Sequence, residues 1–342
     1  MANRHKLNQS GSMSLLTVIF LALLLTIVTI SFIRLAIIEQ RQATDDDLTT
    51  RAFYAAESGV EDGKRALALW QSGGAVNLNE DVCQPADVVP SGLLSADLST
   101  EYTCQLINLA PGNFLARLDA WEGATIPLNS GGSAFNRVQI EWHLPEAGQP
   151  YGVRGNSDTD LPTVPDWISA EYPAMLRTAV FWHDAGATFA SSSVDQYALF
   201  INPAASNAAL NSTNDRQVVN GFCQPAVAGG GYACTATVTV VSSSTTDFYL
   251  RLQALYTATD VRVTLFNGNN PNPVLLEDVQ AAIDVTGRAG DVYRRIEARV
   301  PLTQFDYPFP DIALWSNTDI CKAFSVTDDT ADYAKTPCPW QL

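Results

Sequence analysis

Side chains able to do chemistry are few in this chain of 342 residues and are not clustered. There are three histidines: His5 near the N-terminus, His143 within a strand-like stretch, and His183 after Phe181-Trp182. His183-Asp184 is the sort of pair that orients a nucleophile. However, no serine stands in a G-x-S-x-G turn, and neither H-E-x-x-H nor a phosphate-cradling glycine loop occurs. His143 and His183 therefore read as structural. Asp45–Asp47, and Asp328-Asp329 with Asp332, offer oxygen ligands to calcium without the spacing of an EF-hand, so solvated surface is the ordinary reading. Asn211-Ser212-Thr213 fits a glycosylation sequon, a pattern common by chance. The expectation is a chain that is not an enzyme, with no catalytic residue, cofactor or metal.

The six cysteines are Cys83, Cys104, Cys223, Cys234, Cys321 and Cys338. No C-x-x-C and no close Cys/His set is present, which argues against redox catalysis and zinc. An even count outside a membrane favours disulfides, and six cysteines allow 15 pairings. Pairing of neighbours (83–104, 223–234, 321–338) would close three short loops and is the expected arrangement.

The elements that must carry these residues divide the chain in two. Leu15–Ile33 is a run of 19 residues without a charge, and the apolar character continues to Ile38 around Arg34. A hydrocarbon core of about 30 Å needs about 20 such residues in a helix. A cleaved secretory leader has a shorter apolar core followed by small residues, whereas Ile37-Ile38-Glu39-Gln40 follows here. Arg34 sits where its stem can stay in lipid while the guanidinium reaches the headgroups. Arg4 and Lys6 precede the run, and Glu39 and Asp45–Asp47 follow it, so the N-terminus is expected in the cytoplasm and the remainder outside.

Beyond the apolar run, no glycine or proline occurs until Gly59. Small or apolar residues recur at Leu48, Ala52, Ala55, Ala56, Gly59, Val60, Gly63, Ala66, Leu67 and Trp70, in steps of three and four that mark one helical face. Gln71-Ser72-Gly73-Gly74 supplies a terminus. The spacing predicts one helix from Ser14 to Trp70; the alternative is two helices broken near Thr44–Asp47. Past residue 100 the alternation becomes period two, as in Val138, Ile140, Trp142 and in Phe248, Leu250, Leu252, Ala254. The same holds for Ala236, Val238, Val240, for Val261, Val263, Leu265, and for Ile296, Ala298, Val300. These are half-buried antiparallel strands, with turns expected at Asn267-Gly268 and at Thr286–Gly290. Trp121, Trp167, Trp315 and Trp340 fall in loops, where they either fill a core or line a glycan or protein contact.

Two motifs resemble a known family. Gly11-Ser12-Met13-Ser14-Leu15, directly before the apolar run, resembles the cleavage region of type IV prepilins. Arg51-Ala52-Phe53-Tyr54-Ala55-Ala56-Glu57-Ser58-Gly59-Val60-Glu61 resembles the segment after the membrane helix in PilX-type minor pilins. The resemblance covers about residues 7–70. It implies cleavage after Gly11 by a prepilin peptidase, methylation of Ser12 as the new N-terminus, and packing of the apolar helix among other pilin subunits. One departure stands out: pilins of this type usually carry a glutamate at the fifth mature position, where this chain has Leu16. That weakens the case for a major shaft subunit and favours a tip or initiation role.

The resulting expectation is an α+β fold, in which a long N-terminal helix, transmembrane then amphipathic, carries a mainly antiparallel β head with disulfides. Residues 1–11 would be a leader, 12–38 the transmembrane half of the helix and 39–72 its stalk half. A small sheet would occupy 73–144, a linker 145–172, and a β-sandwich 173–342 with return strands at 278–300. Processing is assigned to Gly11 and Ser12. Membrane and filament packing is assigned to Leu15, Leu16, Ile19, Leu23, Ile27 and Ile30. Stalk–head docking is assigned to Ala52, Ala56, Gly59, Val60, Leu67 and Trp70. The expected partners are other pilin subunits, the prepilin peptidase, an inner-membrane assembly platform, membrane lipid, and a host or partner-cell surface. Residues 71–342 hold 13 basic and 29 acidic residues, a net of −16, which repels nucleic acid. The rival readings are a pseudopilin of a secretion system, an anchored adhesin that never polymerises, and an anchored hydrolase, which the few histidines disfavour.

Overall fold

The computed structural model describes residues 10–74, 76, 78, 93–95, 99–146, 150–155, 162–184, 195–206, 218–227, 230–240 and 246–302. Cys83, Cys321, Cys338, Trp315, Trp340, Asn211 and the Asp328–Asp332 cluster lie outside these residues. The chain divides into two units, Met1–Gln304 and Phe305–Leu342, and the second falls entirely outside the described set.

Helix α1 runs unbroken from Ser10 to Gln71, 62 residues, or about 93 Å at the rise of an α-helix. Nothing interrupts it at Thr44–Asp47, where Asp47 is paired instead with Arg51 one turn on, at 2.7 Å. Its end is a Schellman motif. Gly73 takes the left-handed φ of 82° that an L side chain resists. Gly73 N–H donates to the Trp70 carbonyl and Gly74 N–H to the Leu69 carbonyl, both at 2.9 Å.

Thirteen strands are described, in two sheets. The smaller joins β1 (Leu93–Ser95), β2 (Thr100–Asn108), β12 (Gln280–Ala289) and β13 (Val292–Pro301) in the order β1-β2-β12-β13, all antiparallel. The larger comprises β3 (Phe114–Leu118), β4 (Gly123–Pro127), β5 (Arg137–Trp142), β6 (Met175–Asp184), β7 (Asp195–Ala204), β8 (Val218–Cys223), β9 (Cys234–Thr239), β10 (Thr246–Leu255) and β11 (Thr259–Phe266). Its order is β3-β11-β5-β9-β8-β7-β6-β10-β4, and only β7 and β8 run parallel. The two edge strands, β3 and β4, are consecutive in the chain, so the sheet curls almost into a barrel around its own core. A short helix, α2 (Val164–Ser169), is capped by the Thr163 side chain.

The layout is the expected α+β one, with its strands distributed differently. The segments at 114–142, expected in the small sheet with β2, pair in the large one, and the strands at 280–301 return to β2. Period-two patterning shows which face of a strand is buried but not which neighbour it joins. The stretch Thr286–Gly290, expected as a turn, is strand as far as Ala289; Gly287 sits opposite a bulge in β2, where Thr103 is the extra residue, and the turn is made at Gly290-Asp291.

The two sheets are clamped together by Gln280, whose side chain accepts from the Leu115 amide at 3.0 Å and donates to the Leu115 carbonyl at 2.8 Å. Inside the large sheet, Val138, Ile140 and Trp142 of β5 share one buried core with Leu250 and Leu252 of β10 and with Val261, Val263 and Leu265 of the neighbouring β11. Trp142 is accommodated because Gly221 on β8 has no side chain, and its indole N–H donates to the Ala174 carbonyl at 2.9 Å.

One join in the large sheet is thin. β8 and β9 share only the pairs Phe222–Thr235 and Cys223–Cys234. The disulfide Cys223–Cys234 lies on the second of these pairs, both cysteines buried, and is one of the three expected bridges. Cys104 is also disulfide-bonded.

Candidate functional site: the stalk and its seat

Helix α1 has two halves with opposite surroundings. From Leu15 through Asp47 every residue is exposed, including Leu15, Leu16, Ile19, Leu23, Ile27 and Ile30. In water such a surface would be strongly unfavourable, since each large apolar side chain gains about 1.5–3 kcal/mol on full burial. The polar residues in it are satisfied locally: the hydroxyls of Thr26, Thr29 and Ser31 donate to the carbonyls of Leu23, Leu25 and Ile27 at 2.7–2.8 Å. A helix apolar on all sides with its hydroxyls bonded inward suits a lipid environment. Leu15–Ile38 spans about 36 Å as a helix, enough for a hydrocarbon core of about 30 Å. Among the described residues there is thus one helix long and apolar enough to cross a membrane. Gly11 and Ser12 lie in the first helical turn.

The second half is seated on the small sheet. Ala52, Ala55, Ala56, Gly59, Val60, Gly63, Ala66 and Leu67 are buried, one helical face. They meet Tyr102 and Ile107 of β2, Ala281, Ile283 and Val285 of β12, and Ile296, Ala298 and Val300 of β13. Small residues set how closely the helix approaches. A β-carbon on Gly59 would press on Val285 and on the Tyr102 ring, at 2.9 Å, and one on Gly63 would come within 2.8 Å of Ile283. A β-carbon on Gly287 would overlap the Ala52 carbonyl and the Ala56 amide, so strand and helix backbones touch there.

Five of the six residues expected to dock the stalk are buried there: Ala52, Ala56, Gly59, Val60 and Leu67. Trp70 is not; it shares their helical face but remains 36% exposed. Leu302, next to the end of β13, is already reached by the Gln71 side chain, which donates to its carbonyl at 3.1 Å.

Two polar contacts fix the register of this packing. Tyr102 Oη donates to Asp62 at 2.9 Å. Burial first, and then this bond, push the phenol far above its ordinary pKa, so it stays protonated and a donor. Gln105 is 1% exposed, and its amide donates to the Gly59 carbonyl at 2.5 Å. Sequence reasoning missed Tyr102, Gln105 and Gly287. Of these, Gly287 left a visible trace, being a glycine at an inward position of a strand that otherwise alternates.

The opposite face of the small sheet is charged. Arg295 pairs with Asp284, Arg299 with Glu297 at 2.6 Å, and Arg288 with Glu101 at 3.5 Å. The sheet is therefore two-sided, apolar against the helix on one face and charged on the other. Among the described residues no group of three His, Cys, Asp or Glu is placed to hold a metal ion. The apparatus is one for packing. No known protein family, curated protein or solved structure matches the chain.

Proposed function

We propose that the chain is a minor subunit of a type IV pilus-like filament, held in the inner membrane by the first half of α1 until a prepilin peptidase cuts after Gly11. The released subunit then transfers its apolar half from lipid to a bundle of other pilin helices. Burial between subunits replaces burial in the bilayer, so the exchange needs no chemistry from the head. The acidic β head is carried on the outside or at the tip, where it meets a host or partner-cell surface.

The observation that carries this reading is the unbroken α1, apolar and uncovered over its first half and seated on a sheet over its second. A plain anchor has no use for a rigid continuation of more than 20 residues packed on the head. A subunit that must hold a fixed orientation among helical neighbours has such a use. The prepilin-like Gly11-Ser12 supports the processing step, and the replacement of the usual glutamate by Leu16 favours a tip or initiation position over a shaft position.

Mass spectrometry of the protein from its native cell tests the reading. A mature N-terminus at Ser12, methylated, and co-purification with sheared filaments are expected. Gly11→Ala should leave a longer chain that does not assemble. A native chain that keeps its initial methionine and never accompanies a fibre would instead be an anchored surface protein. Assembly with secretion components in place of surface pili would make it a pseudopilin.

A further inference from the structure

At the end of the large sheet where β10 turns into β11, opposite the end that leads to β12, a cleft of about 380 Å³ lies between the segments around His143, Tyr151 and Glu171. It does not belong to the stalk or its seat, and nothing in the assembly reading uses it.

The cleft is built by close backbone packing. Gly152 N–H donates to the Glu171 carbonyl at 3.0 Å. A β-carbon on Gly152 would overlap the Ala170 carbonyl and come within 2.9 Å of the Tyr172 ring, so only glycine lets the two segments lie together. That contact brings Tyr151 and Tyr172 into one wall. His143 and Glu171 line the cleft, and Tyr256 directly precedes its Thr257; all three have left-handed backbones, with φ of 63°, 54° and 73°. Non-glycine residues in this region cost about 1–3 kcal/mol each and persist where the surroundings hold them.

The lining is polar in both senses. Glu146, Glu171 and Asp260 accept, while Arg117 donates and lies 3.4 Å from Asp260. His143 stands edge-on to Tyr151, ring centroids 4.8 Å apart, and its Nε2 is buried without a hydrogen-bond partner. Burial lowers its pKa, so the imidazole is neutral near pH 7. Three carboxylates against one guanidinium reject an anion. No described set of three ligating side chains suits a metal. What remains is a ligand rich in hydroxyls, able to donate to carboxylates and accept from Arg117, with an apolar face for the tyrosine rings.

We propose that this cleft binds a neutral oligosaccharide. Its carbohydrate ring lies against Tyr151 and Tyr172, and its hydroxyls bond to Glu146, Glu171 and Arg117.

The test is calorimetric titration of the full chain, in a polyoxyethylene detergent that carries no sugar headgroup, with maltotriose, cellotriose, chitotriose and mannotriose in turn. At least one should bind with a Kd at or below about 1 mM, equivalent to about −4 kcal/mol. Glu146→Gln and Glu171→Gln, both exposed and so harmless to folding, should each weaken that binding about tenfold. Absence of binding by all four sugars at about 10 mM, a higher affinity for a triuronate than for the neutral sugars, or binding unchanged in both glutamate variants would overturn the proposal. None of these results depends on whether the chain polymerises.

Discussion

Gly287 of β12 lies directly against Ala56 of α1, with no room for a side chain between strand and helix. Around this point Ala52, Gly59 and Gly63 keep the helix face low, and the larger Val60, Leu67, Ile283 and Val285 fill the flanks. The orientation of the stalk on the head is thus fixed by the closeness of two backbones, supported by the Tyr102–Asp62 and Gln105–Gly59 hydrogen bonds.

Gly287→Ala should loosen the seat. The added carbon overlaps main-chain atoms, which cannot rotate away, so the helix must lift. Overpacking of this kind costs about 1–3 kcal/mol. Urea unfolding should show that loss, and hydrogen exchange should rise over residues 52–67 while the large sheet keeps its protection.

Tyr102→Phe removes the donor to Asp62 and leaves a carboxylate that is only 13% exposed with one contact fewer. A hydrogen bond to a charged group contributes about 1.5–3 kcal/mol. A loss near the lower end is expected in urea unfolding, because Arg65 still faces Asp62 at 3.4 Å.

Opening the bridge with Cys223→Ser and Cys234→Ser together should cost about 3 kcal/mol, the chain-entropy value for so short a loop. Because β8 and β9 share only two ladder pairs, exchange should quicken first at this join. Amide exchange resolved by strand checks this: uniform loss across all nine strands would contradict it.

Acid should weaken the head through His143. Burial, the larger influence, lowers its pKa below 6.5, and Asp260 opposes this only in part. The unfolded chain therefore takes up the proton first as pH falls. The associated stability is complete above about pH 6.5 and is lost from there down to the folded pKa. The melting temperature should be lower at about pH 5.5 than at about pH 7.5, and His143→Gln should shrink that difference.

Leu23→Arg, in the middle of the uncovered apolar half, should impair membrane insertion by about 2.5–3.5 kcal/mol. A carbonate wash of membranes should release a larger share of this variant than of the parent chain. The head's unfolding in urea should not change, since Leu23 touches none of it.

Much of the molecule was legible from spacing alone. Steps of three and four placed the seated face of α1, and alternation identified the inward residues of β5, β10 and β11, because helix and strand periods are local properties of the chain. The 223–234 disulfide followed from proximity in sequence. Trp70 shows the limit: it has the right helical phase, yet sits on the seat's periphery, and phase says nothing about how far a sheet extends. Gly287 shows another, since a glycine that punctuates a turn and a glycine that admits a helix backbone are the same letter.

The sequence by itself determined which segments are apolar all round, apolar on one face or alternating, and hence a lipid-soluble helix half, a packed half and a β head. Only the tertiary structure decided that β2 pairs with the distant β12, that residues 114–142 leave for the other sheet, and that His143, Tyr151 and Glu171 converge on one cleft. The physical reason is that periodicity is set by neighbours along the chain. Strand pairing and clefts are set by which surfaces fit across it, a choice among many contacts that become comparable only once the whole chain is packed.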